Sequence, residues 1–366
     1  MKKHAIIPIF IPHKGCPNAC VFCNQRKITA RTEAPSPKEV QEIIETWLTT
    51  LQDVETVEVA FYGGSFTGIP IEDQSRYLSI AQKFKIDKRI QKIHLSTRPD
   101  YINKKILTNL AAYDVDTIEL GVQSFDDKVL QLSGRGHNSQ AVYSAVKLIH
   151  EYGFELGIQL MIGLPGDSRE SCLYSAYETV RLKPKLARLY PTILLDDTEL
   201  LEMYHRGEYT PLSREEAILR TKDMYEILVN SGITIMRVGL KSTDIISANG
   251  AVNAGTYHPA FRQLVEGRIS RERIEALLEP IQQKFYKKNK LKSCYSNSPI
   301  SNSKSKYFHR IKIDILSSPS WISNAIGNKS ENRHYLQKKY PEFSLRFCID
   351  KNLSPGIFRI HIKDNL

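Results

Sequence analysis

Residues 4–240 alternate between two hydrophobic patterns. Short runs of Val, Ile, Leu and aromatic residues are separated by longer stretches in which apolar residues recur at helical spacing. The first pattern predicts buried β-strands and the second predicts amphipathic helices. The predicted strands cover residues 4–11, 57–62, 93–96, 117–122, 154–162, 187–194 and 233–238. Ser36 and Pro37 are typical of a helix start, and a helix is predicted from there to Leu51.

The alternation of strands and helices predicts a parallel sheet, either open or rolled into a barrel. In both arrangements the loops that carry chemistry follow the carboxyl ends of the strands. The unusual loops of this chain are therefore expected to meet at one rim of the sheet.

The pattern changes after residue 283. Residues 284–306 are rich in Lys, Ser and Asn and predict a solvated linker. Strand-like runs return at residues 307–316, 343–349 and 357–362, with a helical stretch that ends near Tyr340. The predicted organisation is a core with its extension at 1–283, a linker at 284–306 and a small basic α+β domain at 307–366.

The positive charge of the chain is concentrated in this last quarter. The whole sequence has a net charge of +11, whereas residues 281–366 hold 17 Lys and Arg against 5 Asp and Glu, a net +12. Such a basic excess predicts contacts with the phosphates of RNA. A basic tail that only keeps the protein in solution is the alternative.

A short turn in the small domain supports the RNA interpretation. An apolar helix end, the turn Gly327-Asn328-Lys329-Ser330 and a second helix resemble the layout of a KH module, whose Gly-x-x-Gly loop clamps a nucleic-acid backbone. Ser330 stands at the position of the second glycine. Nearby aromatic residues are available for base stacking or for a small core, and they are Tyr307, Phe308, Trp321 and Tyr335.

Three cysteines follow the first predicted strand at C-x3-C-x2-C spacing, namely Cys16, Cys20 and Cys23. One loop can aim three thiolates at three irons of a four-iron four-sulfur cluster, which leaves the fourth iron open to a small chelating molecule. A zinc site completed by His13 is an alternative. A disulfide framework fits less well, because six cysteines in 366 residues are sparse and the other three are scattered.

The start of the chain does not resemble a secretion signal. The apolar run after residue 4 contains Pro8, ends at Pro12 and is followed by no small-residue cleavage site. No apolar stretch approaches the roughly 18 residues that a membrane helix needs. We therefore expect no membrane association and a cytoplasmic location, where thiolates stay reduced.

Further motifs follow the later strands. Gly63-Gly64 comes directly after the second strand, where paired glycines let the backbone approach a ligand. The third strand ends in the segment 95–101, which contains Ser96, and the fourth leads to Gln123 and then to Arg135. The fifth leads to Gly163 in a Gly-Leu-Pro-Gly segment.

Together, these motifs resemble the radical S-adenosylmethionine (SAM) superfamily, and within it the radical SAM core of the Elongator catalytic subunit and its shorter prokaryotic relatives. The resemblance covers roughly residues 5–265 and does not include the acetyltransferase domain of Elongator. It implies a 4Fe-4S cluster held by Cys16, Cys20 and Cys23, with SAM on the open iron. The reduced cluster of the superfamily cleaves SAM to methionine and a 5′-deoxyadenosyl radical.

The resemblance also implies the residues that hold SAM, which are Gly63, Gly64, Ser96, Gln123, Arg135 and Gly163. The glycine pair would bind the amino group, Arg135 would pair with the carboxylate, and Gly163 would lie beside the adenine. The family usually has Glu at the position of Ser96, so this chain lacks a charge there.

Three residues are candidates for the substrate side of the site. Arg237 ends a late strand and matches an arginine-bearing strand of the Elongator relatives, whereas Tyr257 and His258 lie in a loop that leads to a helix. A surface arginine and a structural histidine are the alternatives.

The predicted fold is α/β, a partial (β/α)6 TIM-like barrel followed by the small basic domain. The predicted function is a radical SAM enzyme that modifies RNA, with tRNA as the expected substrate and an external one-electron donor such as ferredoxin or flavodoxin. Two alternatives stay open: a radical SAM enzyme acting on a small molecule, and a non-enzymatic iron-sulfur protein that binds RNA or acts as a sensor.

Overall fold

A computed structural model describes residues 4–11, 16, 20–24, 33–240, 252–295 and 310–363. His13, proposed above as a zinc ligand, and the aromatic residues Tyr307 and Phe308 lie outside these residues. The chain divides into two compact units, Met1–Pro259 and Ala260–Leu366.

The first unit is built on a curled sheet of seven parallel strands. The strands are β1 (His4–Ile11), β2 (Thr56–Gly63), β3 (Lys92–Thr97), β4 (Thr117–Gln123), β5 (Glu155–Ile162), β6 (Leu186–Pro191) and β8 (Thr234–Val238). They follow one another in chain order across the sheet, and β8 lies beside β6. Every residue of β4 is buried, as expected for a central strand of a sheet covered on both faces.

Helices connect successive strands of this sheet. They are α1 (Pro37–Leu48), α2 (Ile71–Ile86), α3 (Lys104–Ala112), α4 (Asp127–Leu132), α5 (Ser139–Glu151), α6 (Arg169–Arg181), α7 (Glu199–His205) and α8 (Arg214–Asn230). The start of α1 was predicted correctly, since Ser36 and Glu39 form a capping box and Pro37 occupies the first turn. The α/β fold with a partial barrel is thus confirmed.

One predicted strand is wrong in its extent. Residues 187–194 form the end of β6 and the beginning of a separate strand, β7 (Ile193–Leu195), which pairs antiparallel with β9 (Val252–Gly255). Pro191 ends β6, since it has no N–H to donate to a ladder, and the Thr192 N–H bonds instead to the Ile162 carbonyl at 2.8 Å.

The second unit contains a three-stranded sheet and three helices. Its elements are α9 (Phe261–Tyr295), β10 (Ile311–Ser317), α10 (Ile322–Ile326), α11 (Glu331–Lys339), β11 (Phe343–Ile349) and β12 (Phe358–Ile362). The central strand β10 pairs parallel with β11 and antiparallel with β12. The core contains Ile313, Leu336, Tyr340 and Phe343.

The second unit begins earlier than the sequence pattern predicted. Ile274 and Leu278 of α9 are completely buried in the same core as the three strands. The helix also continues to Tyr295, so the first part of the predicted linker 284–306 is helical and the part after residue 295 lies outside the described residues. Lysine favours helices in spite of its polarity, so a Lys-rich composition alone does not distinguish a linker from a polar helix.

Among the described residues, no helix is both long enough and apolar enough to cross a membrane.

Candidate functional site

A cavity of about 520 Å³ opens at the carboxyl ends of the strands of the parallel sheet. The predicted site residues on its wall are Cys16, Cys20, Cys23, Gly63, Gly64, Ser96, Gln123, Arg135 and Arg237. They come from loops and strand ends that are far apart in sequence. The shared rim of a parallel sheet explains why they meet.

The cysteine loop is held against two other segments of the first unit. The Val21 N–H donates to the Ser133 carbonyl at 3.1 Å, and the Val21 carbonyl accepts from the Leu200 N–H at 2.8 Å. Within the loop, the Cys23 N–H bonds to the Cys20 carbonyl at 3.0 Å. Main-chain hydrogen bonds therefore hold the part of the loop that carries Cys20 and Cys23.

The chemistry of the three thiols fits a cationic iron cluster. Burial and the neighbouring Cys20 and Cys16 raise the pKa of Cys23 to about 12. Three thiolates on the wall of one cavity repel one another unless metal ions neutralise them. Across the described residues, no three His, Cys, Asp or Glu side chains converge on a single metal ion. Thiolates that bind separate irons of a four-iron cluster need no such convergence.

Arg135 contacts the cysteine loop directly. Its side chain is buried, Nη1 donates to Cys20 Sγ at 3.3 Å, and Nη2 donates to the Gly121 carbonyl. The resemblance predicted a partner on SAM for this arginine. The structure adds a contact with a predicted cluster ligand, so that one guanidinium lies beside both parts of the predicted cofactor site.

Gln123 is aimed into the cavity by an irregular backbone. It lies at the end of β4, where the pairing with β5 shifts between Gly121 and Gln123, and it has a φ of +71°. Its side-chain Oε1 is buried and accepts no hydrogen bond from any described residue. A strained backbone and an unsatisfied buried acceptor at one position are typical of a binding site.

Gly121 makes room for these two side chains. A Cβ at this position would lie 3.2 Å from Gln123 Nε2 and 3.4 Å from Arg135 Nη2. A Cβ there would crowd the amide and touch the guanidinium, so a longer side chain would compete with both for space. The sequence interpretation did not single out Gly121, although a glycine inside an apolar strand is a recognised sign of a close approach.

Gly63 brings the glycine loop close to the start of the cysteine loop. It has a φ of +117°, and a Cβ would lie 2.6 Å from the carbonyl oxygen of Ile11. That same carbonyl accepts a hydrogen bond from the Gly64 N–H at 3.0 Å. Only glycine fits both the conformation and the space at residue 63.

Ser96 and Arg98 extend the site along β3. The Ser96 side chain is buried on the cavity wall. Arg98 was not singled out from the sequence, but it lines the same cavity and is only 3% exposed. It forms an ion pair with Asp100, with 2.8 Å between Arg98 Nη2 and Asp100 Oδ2.

Inside the curled sheet, four charged side chains from different strands form what we call the interior polar layer: Glu58, His94, Glu119 and Arg188. His94 Nδ1 hydrogen-bonds to Glu58, and His94 Nε2 lies 3.1 Å from Glu119 Oε2. Arg188 Nε lies 3.0 Å from the same Glu119 oxygen. Arg188 also covers the ring of Tyr62 at 4.6 Å and reaches the cavity wall.

Hydrogen bonds among its members and from the neighbouring His4 set the ionisation of the interior polar layer. Burial alone would raise the pKa of Glu58, but hydrogen bonds from His4 and His94 lower it to about 2. Burial alone would lower the pKa of His94, but hydrogen bonds to Glu119 and Glu58 raise it to about 8. Two carboxylates and two cations therefore balance at neutral pH.

The sequence interpretation missed the interior polar layer because its members share no local motif. A usable signal did exist for three of the four, since Glu58, Glu119 and Arg188 each occur within a strand that is otherwise largely apolar. A charge at such a position is rarely buried without a partner.

Three predicted residues are not among those that line the cavity. Gly163 faces Leu212, and its carbonyl accepts from the Tyr209 hydroxyl at 2.5 Å. Tyr257 packs against a cluster that contains Ile193 and Leu195, and His258 is partly exposed. Of these, Tyr257 lies behind the wall, because Ile193 and Leu195 themselves line the cavity, and the roles predicted for all three residues stay predictions.

Comparisons with known proteins agree with the geometry of the cavity. The chain is 26% identical over 255 residues to a tRNA uridine(34) acetyltransferase of Methanocaldococcus jannaschii, covering 58% of this chain and 47% of that protein. It is 28% identical over 185 residues to Elongator complex protein 3 of Bos taurus, covering 45% and 34%. The chain thus spans about half or less of the length of these curated relatives.

A solved structure of the archaeal Elp3 of Methanocaldococcus infernus shares the fold. Its TM-score is 0.61 at 23% identity, and the match covers 74% of this chain and 64% of that chain. The resemblance to Elongator proteins that the motifs predicted is confirmed by these relatives.

Two family models match consecutive segments that together span well over half of the sequence. The Radical SAM superfamily model matches residues 10–174, which include the cysteine loop, the glycine pair, Gln123 and Arg135. The Radical_SAM C-terminal domain model matches residues 184–271. With the cysteines, the strained Gln123 and the glycine loop gathered at one cavity, this chain carries a radical SAM domain at residues 10–174, followed by a Radical_SAM C-terminal domain at residues 184–271.

Proposed function

We propose that this protein cleaves S-adenosylmethionine reductively and uses the resulting radical to modify RNA, with tRNA as the expected substrate. The observation that carries the proposal is the single cavity that collects the three cysteines, the glycine pair, Gln123 and Arg135. Members of the superfamily bind a 4Fe-4S cluster and SAM, and this residue set fits both.

Cys16, Cys20 and Cys23 would hold the cluster, which, once bound and reduced by an external donor such as ferredoxin or flavodoxin, supplies the electron that cleaves SAM. Arg135 restrains Cys20 through the 3.3 Å contact with its sulfur. The unsatisfied Gln123 Oε1 is an acceptor for an N–H or O–H group of SAM.

Residues other than the cysteines also line the cavity. They include Arg237 and Met236 of β8, together with Tyr62, Arg188 and Tyr190. A cavity lined by aromatic, apolar and cationic groups suits a flat, anionic substrate such as a nucleotide of RNA. We propose that Arg237 contacts this substrate, whereas the positions of Tyr257 and His258 do not support a direct role.

One turn of the second unit, with an exposed lysine at its tip, supports an RNA substrate. The turn between α10 and α11 has Gly327, Lys329 and Ser330 at φ values of +83°, +49° and +61°. The backbone at Ser330 thus adopts the left-handed conformation that glycine prefers, although a serine stands there. Lys329 is exposed at the tip, where it can meet a phosphate. The names of the tRNA-modifying relatives add support for tRNA.

An anaerobic assay tests the proposed cleavage. The cluster is reconstituted and reduced, SAM is added with and without bulk tRNA, and 5′-deoxyadenosine is quantified. We expect formation that rises with tRNA and vanishes in Cys20→Ala. Cys172→Ser is the matched control, because Cys172 is a buried cysteine away from the cavity wall, and it should keep activity and iron content.

The other results of this assay favour different functions. SAM cleavage at the same rate with and without tRNA would favour a small-molecule substrate. A redox-active cluster without any cleavage would favour an iron-sulfur RNA-binding or sensor protein. Binding of tRNA is measured separately with Lys329→Ala, for which we expect several-fold weaker binding and a smaller salt dependence. Lys105→Ala, an exposed lysine of α3, is the control and should bind as the unmodified protein does.

A further inference from the structure

Arg98 is a buried cation, and one of its guanidinium nitrogens has no hydrogen-bond acceptor among the described residues. The side chain is 4% exposed. Nε donates to Asp100 Oδ1 at 3.0 Å, and Nη2 donates to Asp100 Oδ2 at 2.8 Å and to the Arg135 carbonyl at 2.6 Å. Nη1 is buried and donates to no acceptor in the described part of the chain. A buried charged donor without an acceptor needs an explanation in a folded protein, and because Arg98 also lines the cavity, a ligand in the cavity can supply the acceptor.

Arg98 lies on the cysteine side of the cavity. It shares the cavity wall with Cys16, Cys20 and Ser96. Its guanidinium bonds to the carbonyl of Arg135, whose own side chain contacts Cys20 Sγ. Burial lowers the pKa of Arg98, but Asp100 and the nearby Cys16 and Cys20 raise it overall, so the side chain stays charged.

The side chain is fixed from several directions. The Arg98 backbone N–H donates to Ser65 Oγ at 3.2 Å, and the guanidinium lies 5.8 Å from the ring centre of Tyr101. With the bidentate contact to Asp100, these restraints hold the charge in one place. A preorganised charge acts on a nearby group without first having to reorient.

We propose that Arg98 is a positioning residue for the iron-sulfur cluster: its Nη1 donates a hydrogen bond to a cluster sulfur, and its charge raises the reduction potential. The inference rests on the proposed cluster at Cys16, Cys20 and Cys23. Reduction adds one electron to the cluster, and a fixed positive charge nearby stabilises the more negative state. Asp100 opposes this effect, but its side chain is 28% exposed, so solvent screens it more than Arg98.

The test compares two substitutions of the same ion pair. The midpoint potential of the reconstituted cluster is measured by redox titration with electron paramagnetic resonance, without SAM. Arg98→Gln should lower the potential by about 59 mV, which is a tenfold lower ratio of reduced to oxidised cluster at fixed potential. Asp100→Asn should raise the potential, because it removes the opposing charge while leaving the arginine in place.

The opposite signs separate an electrostatic role from a structural one. Loss of the Arg98–Asp100 ion pair alone would move both variants in the same direction, and that result, or an unchanged potential in Arg98→Gln, would overturn the proposal. Arg98→Lys keeps the charge and should recover most of the shift. If Arg98→Gln fails to retain iron, Asp100→Asn still decides the question, because an unchanged or lowered potential there contradicts it.

This measurement is independent of catalysis. A cluster potential can be read whether or not the protein cleaves SAM, so failure of the proposed function leaves the result on Arg98 interpretable. Arg237→Gln serves as the control for loss of a cationic residue elsewhere on the cavity wall, and we expect it to leave the potential unchanged.

Discussion

The cysteine side of the cavity and the interior polar layer differ in how their polar groups are satisfied. In the interior polar layer, each buried charge is matched by another, as when Glu119 meets both His94 and Arg188. There, His94 Nε2, Glu119 Oε2 and Arg188 Nε meet as ion pairs at 3.0–3.1 Å without regular hydrogen-bond geometry. On the cysteine side, Gln123 Oε1 and Arg98 Nη1 are buried and have neither a hydrogen bond nor an opposite charge at contact distance among the described residues. A buried atom with neither kind of partner, in a residue that lines the cavity, therefore indicates the ligand side better than buried charge alone does.

This contrast is tested most strongly by breaking the interior polar layer. Glu119→Gln keeps the shape but leaves the charges of Arg188 and His94 buried without their shared carboxylate. We expect the free energy of unfolding to fall by about 3–5 kcal/mol. Urea unfolding of the reconstituted protein measures it, and Glu45→Gln, whose pair with Arg89 is exposed, should change by less than about 1 kcal/mol. Equal losses of unfolding free energy in Glu119→Gln and Glu45→Gln would contradict a stabilising role for the interior polar layer.

The cysteine side also contains a residue on which the stability of the fold should depend strongly, Gly63. Gly63→Ala places a Cβ 2.6 Å from the Ile11 carbonyl at a φ of +117°, and we expect a loss of about 2–4 kcal/mol in stability. Gly153→Ala is the matched control, since it has a φ of +79° but no atom within 4 Å of the added Cβ. The difference between the two thermal unfolding curves isolates the clash. If both variants lose the same amount, close contact with Ile11 is not what requires glycine.

The interior polar layer should also give stability its pH dependence. The pKa of His94 is raised to about 8 from an ordinary value of 6.5, so its contribution is complete below pH 6.5 and is lost as pH rises through 8. We expect a loss of about 2 kcal/mol across this window. Denaturant unfolding at several pH values measures it, and His94→Gln should remove this part of the dependence. A slope that survives in His94→Gln belongs to other groups.

The smallest change in free energy is expected from Gln123. Gln123→Ala removes an acceptor that no described residue uses, so stability should change by less than about 1 kcal/mol. Binding of SAM should weaken roughly tenfold, because one buried hydrogen bond to the ligand is lost. Equilibrium binding to the reconstituted protein measures the change. A large loss of stability with unchanged SAM binding would place Gln123 with the interior polar layer instead.

The sequence predicts the parallel core closely because strand patterns are local. The predicted run 117–122 is within one residue of β4, and residues 343–349 match β11 in both bounds. The convergence of the cysteines with Gln123 was predictable for a related reason, since parallel strands send their carboxyl ends to one rim. Local pattern and strand direction together were enough for this part of the site.

The other parts of the site depend on contacts that no local pattern reveals. The interior polar layer links Glu58 of β2 to Arg188 of β6, 130 positions later in the chain, through His94 and Glu119, and only the curled sheet brings these strands together. The second unit shows the same limit, since the burial of Ile274 and Leu278 in its core cannot be read from the weak helical pattern of α9. Arg98 was overlooked because the polar sequence Arg98-Pro99-Asp100 is typical of an exposed turn.

Gly121 has a consequence for how this site can change over evolutionary time. A Cβ at this position would press on the Gln123 amide and touch the Arg135 guanidinium, so a larger residue at position 121 would crowd both. A lineage that replaces this glycine must change one of the other two side chains as well, or lose the arrangement. The three positions are therefore expected to vary together, so that covariation among them across many sequences records a steric constraint inside β4.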